Sequence, residues 1–312
     1  MLAWCFFLYA FFTMKSVYRI SLLALIIGLG LVLLFNLWRP VALNFGQLSN
    51  LAFPKSSAGQ FAFAVIGDNE GENPFYADLI RQISQNQDIK FLLHVGDATA
   101  SGTSEEFQAL KKANAELGLK IPVYFVPGNH DLTTDQTGQI WQKEIGPLWQ
   151  SMDIENTHLV LLDNSNRKIG FEDAELSWLE NDLTDYANNK TDNSLLIIAY
   201  HRPFNYPLAS ILGDDETKTS RASNEKFLKI LEKFPPDQIF TGHIHSYADY
   251  AMPLAKDTEG KTLKSAPVTI TGGGGQPPQS ALGGLLKPKY HFLKVTVKGK
   301  KITTEIVLAK TE

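Results

Sequence analysis

The sequence predicts an α/β fold in which two sheets pack together with helices outside. Three observations carry this expectation. Short apolar runs, most of them closed by a glycine, recur between residues 61 and 240 and read as buried strands. Helical stretches alternate with them as far as Leu231, and beyond His245 only strand-like runs remain. The composition agrees: 312 residues, 44% hydrophobic and 20% charged, are ordinary globular values with room for a substantial core. A net charge of -4 and a pI near 6.0 argue against a protein that binds a nucleic-acid backbone.

The amino terminus differs in kind. Residues 20–37 carry no charge and are long enough to cross ~30 Å of hydrocarbon at ~1.5 Å per residue. Tyr18 and Trp38 flank the run as interfacial aromatics do, Lys15 and Arg19 precede it, and Arg39 follows. No small-x-small cleavage site is evident. Residues 1–40 are therefore expected to hold one uncleaved membrane anchor at about 18–38, with the remainder outside the cytoplasmic membrane. The apolar residues 1–14 are short for a span and read as an upstream extension, Met14-Lys15-Ser16 being a more natural start. If they did span, a hairpin would keep the remainder in the cytoplasm. Residues 41–58 read as a linker and 59–312 as a single domain. The one cysteine, Cys5, allows neither an internal disulfide nor a thiolate zinc site. Any metal must be held by oxygen and imidazole.

Within the domain, residues 61–66 form a strand closed by Gly67, delivering Asp68-Asn69-Glu70-Gly71. A helix over 74–84 follows, with proline in its first turn, where no amide donor is needed. The strand 91–95 ends at Gly96-Asp97. Helical 104–117 leads to 123–126, a strand ended by the Pro127-Gly128 break, so that Asn129-His130-Asp131 fall on a loop. The strand 157–162 ends at Asp163-Asn164. In the helix 172–186, Leu176, Leu179 and Leu183 share one face, and acids crowd the first turn, where the macrodipole favours them. The strand 195–200 ends at His201-Arg202-Pro203. A helix holds 227–231, and the short strand 238–240 precedes Gly242-His243-Ile244-His245. Residues 268–270, 292–297 and 302–307 complete a β-rich carboxyl part.

The residues that end these strands form one set: Asp68, Asp97, Asn129, His130, His201, His243 and His245. Each alone has an ordinary reading as a turn residue or a hydrogen-bonded loop histidine. Together they fall along one edge of a largely parallel sheet, where open α/β sheets place their sites. Two carboxylates, an amide oxygen and imidazoles suit Mn, Zn, Fe(II) or similar ions. They outnumber what one tetrahedral ion needs, which points to a pair sharing a carboxylate. Such pairs, ~3.5–4 Å apart, activate water and clamp an in-line displacement at phosphorus.

The series Asp68-x-Glu70, Gly96-Asp97, Gly128-Asn129-His130-Asp131, His201 and Gly242-His243-x-His245 resembles the calcineurin-like metallophosphoesterase superfamily over about residues 60–310. The Gly-Asn-His-Asp and Gly-His-x-His motifs are its specific part. The resemblance implies a four-layer α/β/β/α sandwich of two mixed sheets with two divalent ions at the carboxyl ends of the strands. It implies that Asp97 bridges the ions, that Asp68 and His245 serve the first, and that Asn129, His201 and His243 serve the second. His130, oriented by Asp131, would act on the phosphate as general acid or transition-state stabiliser. A hydroxide held between the ions would attack a small phosphoester in line. Glu70 departs from the pattern, since many members carry histidine there. It either ligates, favouring a harder ion, or points away and weakens the first ion. Ala100 stands where the purple acid phosphatase branch carries tyrosine, which disfavours that branch. Monoester, diester and pyrophosphate stay open as substrates. Outside enzymes, the alternative is a phosphoester-binding protein holding one ion or none.

Other features read more plainly. His94, His158 and His291 lie inside strand-like runs and read as structural. Gly260-Lys261-Thr262 imitates the end of a P-loop, but Ala255 stands where its first glycine belongs. The glycine run 272–275 reads as a loop with unusual backbone angles, or one that approaches the site. Polar 207–224 reads as a solvated loop or a flap over the site, and Arg202 as a phosphate contact or a surface ion pair.

Overall fold

A computed structural model of the chain describes residues 60–206, 216–277 and 290–310, all within one compact unit spanning 53–312. The expected anchor at 18–38 and the linker at 41–58 lie outside the described residues. Among the described residues, no helix is long and apolar enough to cross a membrane.

The elements run β1 (Gln60–Ile66), α1 (Pro74–Gln85), β2 (Ile89–His94), α2 (Ser104–Glu116), β3 (Val123–Phe125), α3 (Gln139–Glu144), β4 (Gln150–Ile154) and β5 (Thr157–Leu161). They continue with α4 (Asp173–Asn189), β6 (Leu195–Ala199), α5 (Lys218–Lys233), β7 (Gln238–Thr241), β8 (Tyr247–Lys256), β9 (Thr262–Thr271), β10 (His291–Lys298) and β11 (Lys301–Leu308). One sheet has the order β11-β10-β1-β2-β3 and the other β4-β5-β6-β7-β9-β8. β1, β2 and β3 are mutually parallel neighbours, as are β5, β6, β7 and β9, while the flanking strands pair antiparallel. Both sheets are therefore mixed, with parallel centres.

Strand alternation sorts the side chains into layers. Phe61, Phe63 and Val65 of β1 face the space between the sheets, with Phe91, Leu93, Leu159, Leu161 and Ile197. Ala64 and Ile66 face the other way, onto Leu79 and Ile83 of α1, Phe107 of α2 and Trp141 of α3. On the second sheet, Val160, Leu196 and Ile198 face outward against Leu176, Leu179 and Leu183 of α4 and Phe227 of α5. Helices thus cover both outer faces. Burial on both sides explains why the central strands are continuous apolar runs. The helices start where capping chemistry allows: Asn73 accepts from the Tyr76 amide, and Thr103 forms a capping box with Glu106.

Two expectations need correction. The polar stretch 207–224 is not one flap: α5 begins at Lys218, capped by Thr217, and buries Ser220, Ser223 and Asn224 in its first two turns. Residues 207–215 lie outside the described ones. β4 and β8 are also strands that the apolar pattern did not mark, because both are half-exposed sheet edges.

Candidate active site

The parallel pairing of β1 and β2 runs on past the strand ends. Asp68 N donates to Gly96 O at 3.0 Å, Glu70 N to Asp97 O at 2.9 Å, and Gly71 N to Ala98 O at 2.9 Å. Where these two loops run together the backbone is in the left-handed region, with φ of 62° at Asp68, 47° at Glu70 and 51° at Asp97, and so it is at His243 (66°) on the loop after β7. Glycines stand where a side chain has no room. A Cβ on Gly96, itself at φ 96°, would meet His201 Nδ1 at 2.4 Å, and one on Gly242 would meet Asp68 Oδ2 at 2.6 Å.

Each carboxylate divides its oxygens between structure and site. Asp68 Oδ1 accepts from the His243 amide at 2.8 Å, while its Oδ2 is buried with no partner. Asp97 Oδ1 accepts from the His130 amide at 2.8 Å, while its Oδ2 lies 3.1 Å from His201 Nε2. The imidazoles divide their nitrogens in the same way. Nδ1 donates to a backbone carbonyl in His201 (Val95, 2.8 Å), His130 (Ala100, 2.9 Å) and His245 (Pro277, 2.8 Å). A carbonyl only accepts, so Nδ1 carries the hydrogen and Nε2 is left for the cavity, the arrangement that prepares a histidine to ligate.

His201 Nε2, Asp97 Oδ2 and Asn129 Oδ1 then meet, with Nε2 3.1 Å from the carboxylate and 3.2 Å from the amide oxygen. All three present lone pairs, so a cation belongs among them. A proton suffices: burial would lower the His201 pKa, but Asp97 outweighs it and pushes the value up to about 9. Burial would raise Asp97, but the His201 charge and hydrogen bond hold it well below the usual carboxylate range. Asp68 is raised well above that range, foremost by burial. A fully buried carboxylate oxygen without a partner is costly unless a cation meets it. Among the described residues, two donor groups have the spacing to hold ions, Asp97/His201/His243 and Glu70/Asp97/His130, with the donor atoms of each group within 4.8 Å of one another. The oxygen-and-imidazole chemistry fits divalent ions, and Asp97 is common to both groups.

The structure brings all seven strand-end residues together. His245 Nε2 lies 3.8 Å from Asp68 Oδ1. Glu70 points into the site, its Oε1 3.6 Å from His130 Nε2 and 3.9 Å from His245 Nε2. Asp131 does not orient His130. Its carboxylate accepts from Thr99 N at 2.9 Å, Thr99 Oγ1 at 2.8 Å, Gly128 N at 3.0 Å and Ala98 N at 3.3 Å. Burial, helped by Asp97, pushes its pKa up to about 6. Asp131 clamps the Gly128 loop to the Asp97 loop, and the Ala100 carbonyl holds the His130 ring. The glycine run also approaches the site: Gly274 N donates to Gly67 O at 2.8 Å and Gln276 N to Asp68 O at 3.2 Å. Arg202 reaches it too, Nη1 donating to Asn129 Oδ1 at 3.1 Å. Asn164 fixes the Arg202 backbone with reciprocal bonds of 2.9 and 2.8 Å. Sequence reasoning did not assign Asn164 to the site, although its place at the end of β5 was a usable signal.

Comparison with known proteins adds four findings. The sequence model of the family described as calcineurin-like phosphoesterase matches residues 61–247. The 3',5'-cyclic adenosine monophosphate phosphodiesterase CpdA of Escherichia coli (strain K12) is 25% identical over 213 residues, 66% of this chain and 70% of that protein. Acid phosphatase type 7 of Mus musculus is 23% identical over 203 residues, 59% of this chain and 46% of that protein. Purple acid phosphatase PPD1 from yellow lupin (Lupinus luteus) seeds has a TM-score of 0.62 at 16% identity, with 83% of this chain and 53% of that one covered. That last likeness is one of fold alone, and the chain spans about half the length of both phosphatases.

Proposed function

The chain belongs to the calcineurin-like phosphoesterase family and is a phosphoester hydrolase, and on that premise we propose that it works with two divalent ions. Asp68, Glu70 and His245 would hold the first ion, Asn129, His201 and His243 the second, and Asp97 both. The observation that carries this reading is that Asp97 belongs to both donor groups. When bound, such ions supply an activated water for in-line attack and neutralise charge on the phosphoryl oxygens. Glu70 in place of a histidine makes the first site more anionic and favours a harder ion such as Mn²⁺.

The chain's own groups do the rest. His130, with one hydrogen at Nδ1 fixed on the Ala100 carbonyl, would as an imidazolium hold a second at Nε2 for the leaving oxygen. Arg202, beside Asn129, offers a guanidinium to a phosphoryl oxygen. The likeness to CpdA covers more of both proteins than that to acid phosphatase type 7 and favours a phosphodiester as substrate. The uncharged run 20–37 supports membrane anchoring, with the catalytic unit outside the cytoplasmic membrane.

The test strips the full chain with a chelator and restores Mn²⁺, Zn²⁺ or Mg²⁺ while bound ions are counted. An aryl phosphodiester and an aryl phosphomonoester serve as substrates. Restored hydrolysis with two ions per chain is the expected result. Full hydrolysis without metal, or activity with a single ion, would overturn the two-ion reading.

A further inference from the structure

We propose that the buried pair Asn69 and His94 is a positioning pair that sets Asp68 and Glu70, the first ion's half of the centre, against Asp97. The inference rests on the two-ion reading above.

Asn69 lies between the two candidate ligands and is 1% exposed, and His94 is 0% exposed. Asn69 Nδ2 donates to the Gly71 carbonyl at 2.9 Å and to the Ala98 carbonyl at 3.0 Å. Two carbonyl partners fix which end of the amide is nitrogen, so Oδ1 is the atom 2.7 Å from His94 Nε2. An amide oxygen only accepts, so His94 Nε2 carries the hydrogen and donates. His94 Nδ1 is then a bare acceptor, buried with no partner, in a ring between Tyr76 and Phe125 at centroid distances of 6.5 and 5.2 Å. Burial favours the neutral ring in that setting and pushes its pKa down to about 3. The Asn69 carbonyl is held as well, accepting from Asn73 Nδ2 at 3.0 Å and Gln276 Nε2 at 3.3 Å.

Among the described residues, the one side-chain hydrogen bond of His94 therefore goes to a residue whose amide bridges the Asp68–Gly71 turn and the Asp97–Ala98 turn. An apolar side chain could fill the His94 position. What the histidine adds is a donor that stops the Asn69 amide from rotating away from Gly71 O and Ala98 O. Without it, the left-handed turns at Asp68 (φ 62°) and Glu70 (φ 47°) lose a side-chain restraint. Neither Asn69 nor His94 is in a candidate donor group, and the second ion's loop has its own clamp in Asp131. Disturbing the pair should therefore weaken one ion and spare the other.

The experiment titrates the chelated full chain with Mn²⁺ by calorimetry, comparing wild type with His94→Leu, Asn69→Ala and His94→Gln. His94→Leu and Asn69→Ala are each expected to weaken one of two ions by ~10–100-fold, the range for groups that orient ligands, with the other ion unchanged. His94→Gln, which keeps a donor, should restore most of the loss, a recovery that a merely space-filling histidine would not show. If His94→Leu does not fold, Asn69→Ala decides the matter from the other side. Wild-type affinity for both ions in a folded variant overturns the inference, as does equal weakening of both. A wild-type chain that takes up no manganese overturns the two-ion reading and this inference with it.

Discussion

Replacing Gly242 with alanine measures how closely the strand-end loops have to approach. The Gly242 backbone is outside the left-handed region, so a methyl group adds bulk there without backbone strain. Its Cβ would lie 2.6 Å from Asp68 Oδ2 and 2.7 Å from the Val95 carbonyl oxygen, short of ordinary contact at 3.4 Å by 0.8 and 0.7 Å. The Val95 carbonyl is main chain and holds His201 Nδ1, so it cannot retreat without moving a second candidate ligand. The displacement falls on Asp68 and on the His243 turn whose amide it accepts. A misplacement approaching ~1 Å in a catalytic constellation costs on the order of 10²-fold in rate, and overpacking costs ~1–3 kcal/mol of stability. The assay compares kcat/KM on a phosphoester with Mn²⁺ present, bound-ion count and the denaturant midpoint. Gly260→Ala is the control. Gly260 sits at φ 82° in the β8–β9 turn with no atom within 4 Å of a Cβ. That variant should lose ~1–2 kcal/mol through backbone strain alone and leave ions and rate unchanged. Wild-type kcat/KM and ion binding in Gly242→Ala would refute the claim that ligand placement depends on this approach.

Two further outcomes follow from the geometry. His130→Gln should leave the bound-ion count unchanged and lower turnover by ~10²–10⁴-fold, as loss of a proton donor does; normal turnover at an unchanged ion count would remove His130 from the mechanism. His158 is clamped between Asp153 at 2.7 Å and Asp182 at 2.9 Å and stacks on Tyr186. Burial would lower its pKa, but the two carboxylates raise it above the ordinary value. A raised folded-state pKa means that the clamp's contribution, ~1.5 kcal/mol for a charge-assisted hydrogen bond, is full below about pH 6.5 and fades as pH rises through the folded value. Denaturant unfolding should show the wild-type advantage over His158→Gln shrinking as the solution becomes alkaline, and a difference constant with pH would contradict this sign.

The parts of the fold that could be read from sequence were those whose burial is two-sided. β1, β2, β5 and β6 are covered on both faces over most of their length, so each contains a continuous apolar run. β8 buries only Met252 and Leu254 along ten residues, so it shows no period. The start of α5 was hidden for a related reason, because the residues it buries there are Ser220, Ser223 and Asn224. In the site, the seven strand-end residues were legible because a glycine or a strand end announces most of them. Which partner each side chain takes was not. His130 and Asp131 are adjacent in sequence, yet the backbone turns between them, sending the imidazole to Ala100 and the carboxylate to Thr99. His94 read as structural because nothing in a strand pattern shows that its one donor meets Asn69, 25 positions earlier.

Backbone strain and ligand presentation in this site have one origin. Six non-glycine residues among those described have positive φ, and four of them, Asp68, Glu70, Asp97 and His243, belong to the candidate centre. Each such position costs on the order of 1–3 kcal/mol and persists only where the surroundings over-determine it. Here the determination is mutual. The Asp68 carboxylate takes the amide of strained His243, the Asp97 carboxylate takes the amide of His130, and the Glu70 amide is taken by the Asp97 carbonyl. A carboxylate that spends one oxygen holding a neighbouring turn has its other oxygen aimed where the turns meet, so the contact that sustains the strain also points the ligand. These anchors run from protein to protein and need no ion. Chelation should therefore leave the turns pinned, because the carboxylate oxygens that hold the amides are Asp68 Oδ1 and Asp97 Oδ1, which leaves each Oδ2 for an ion.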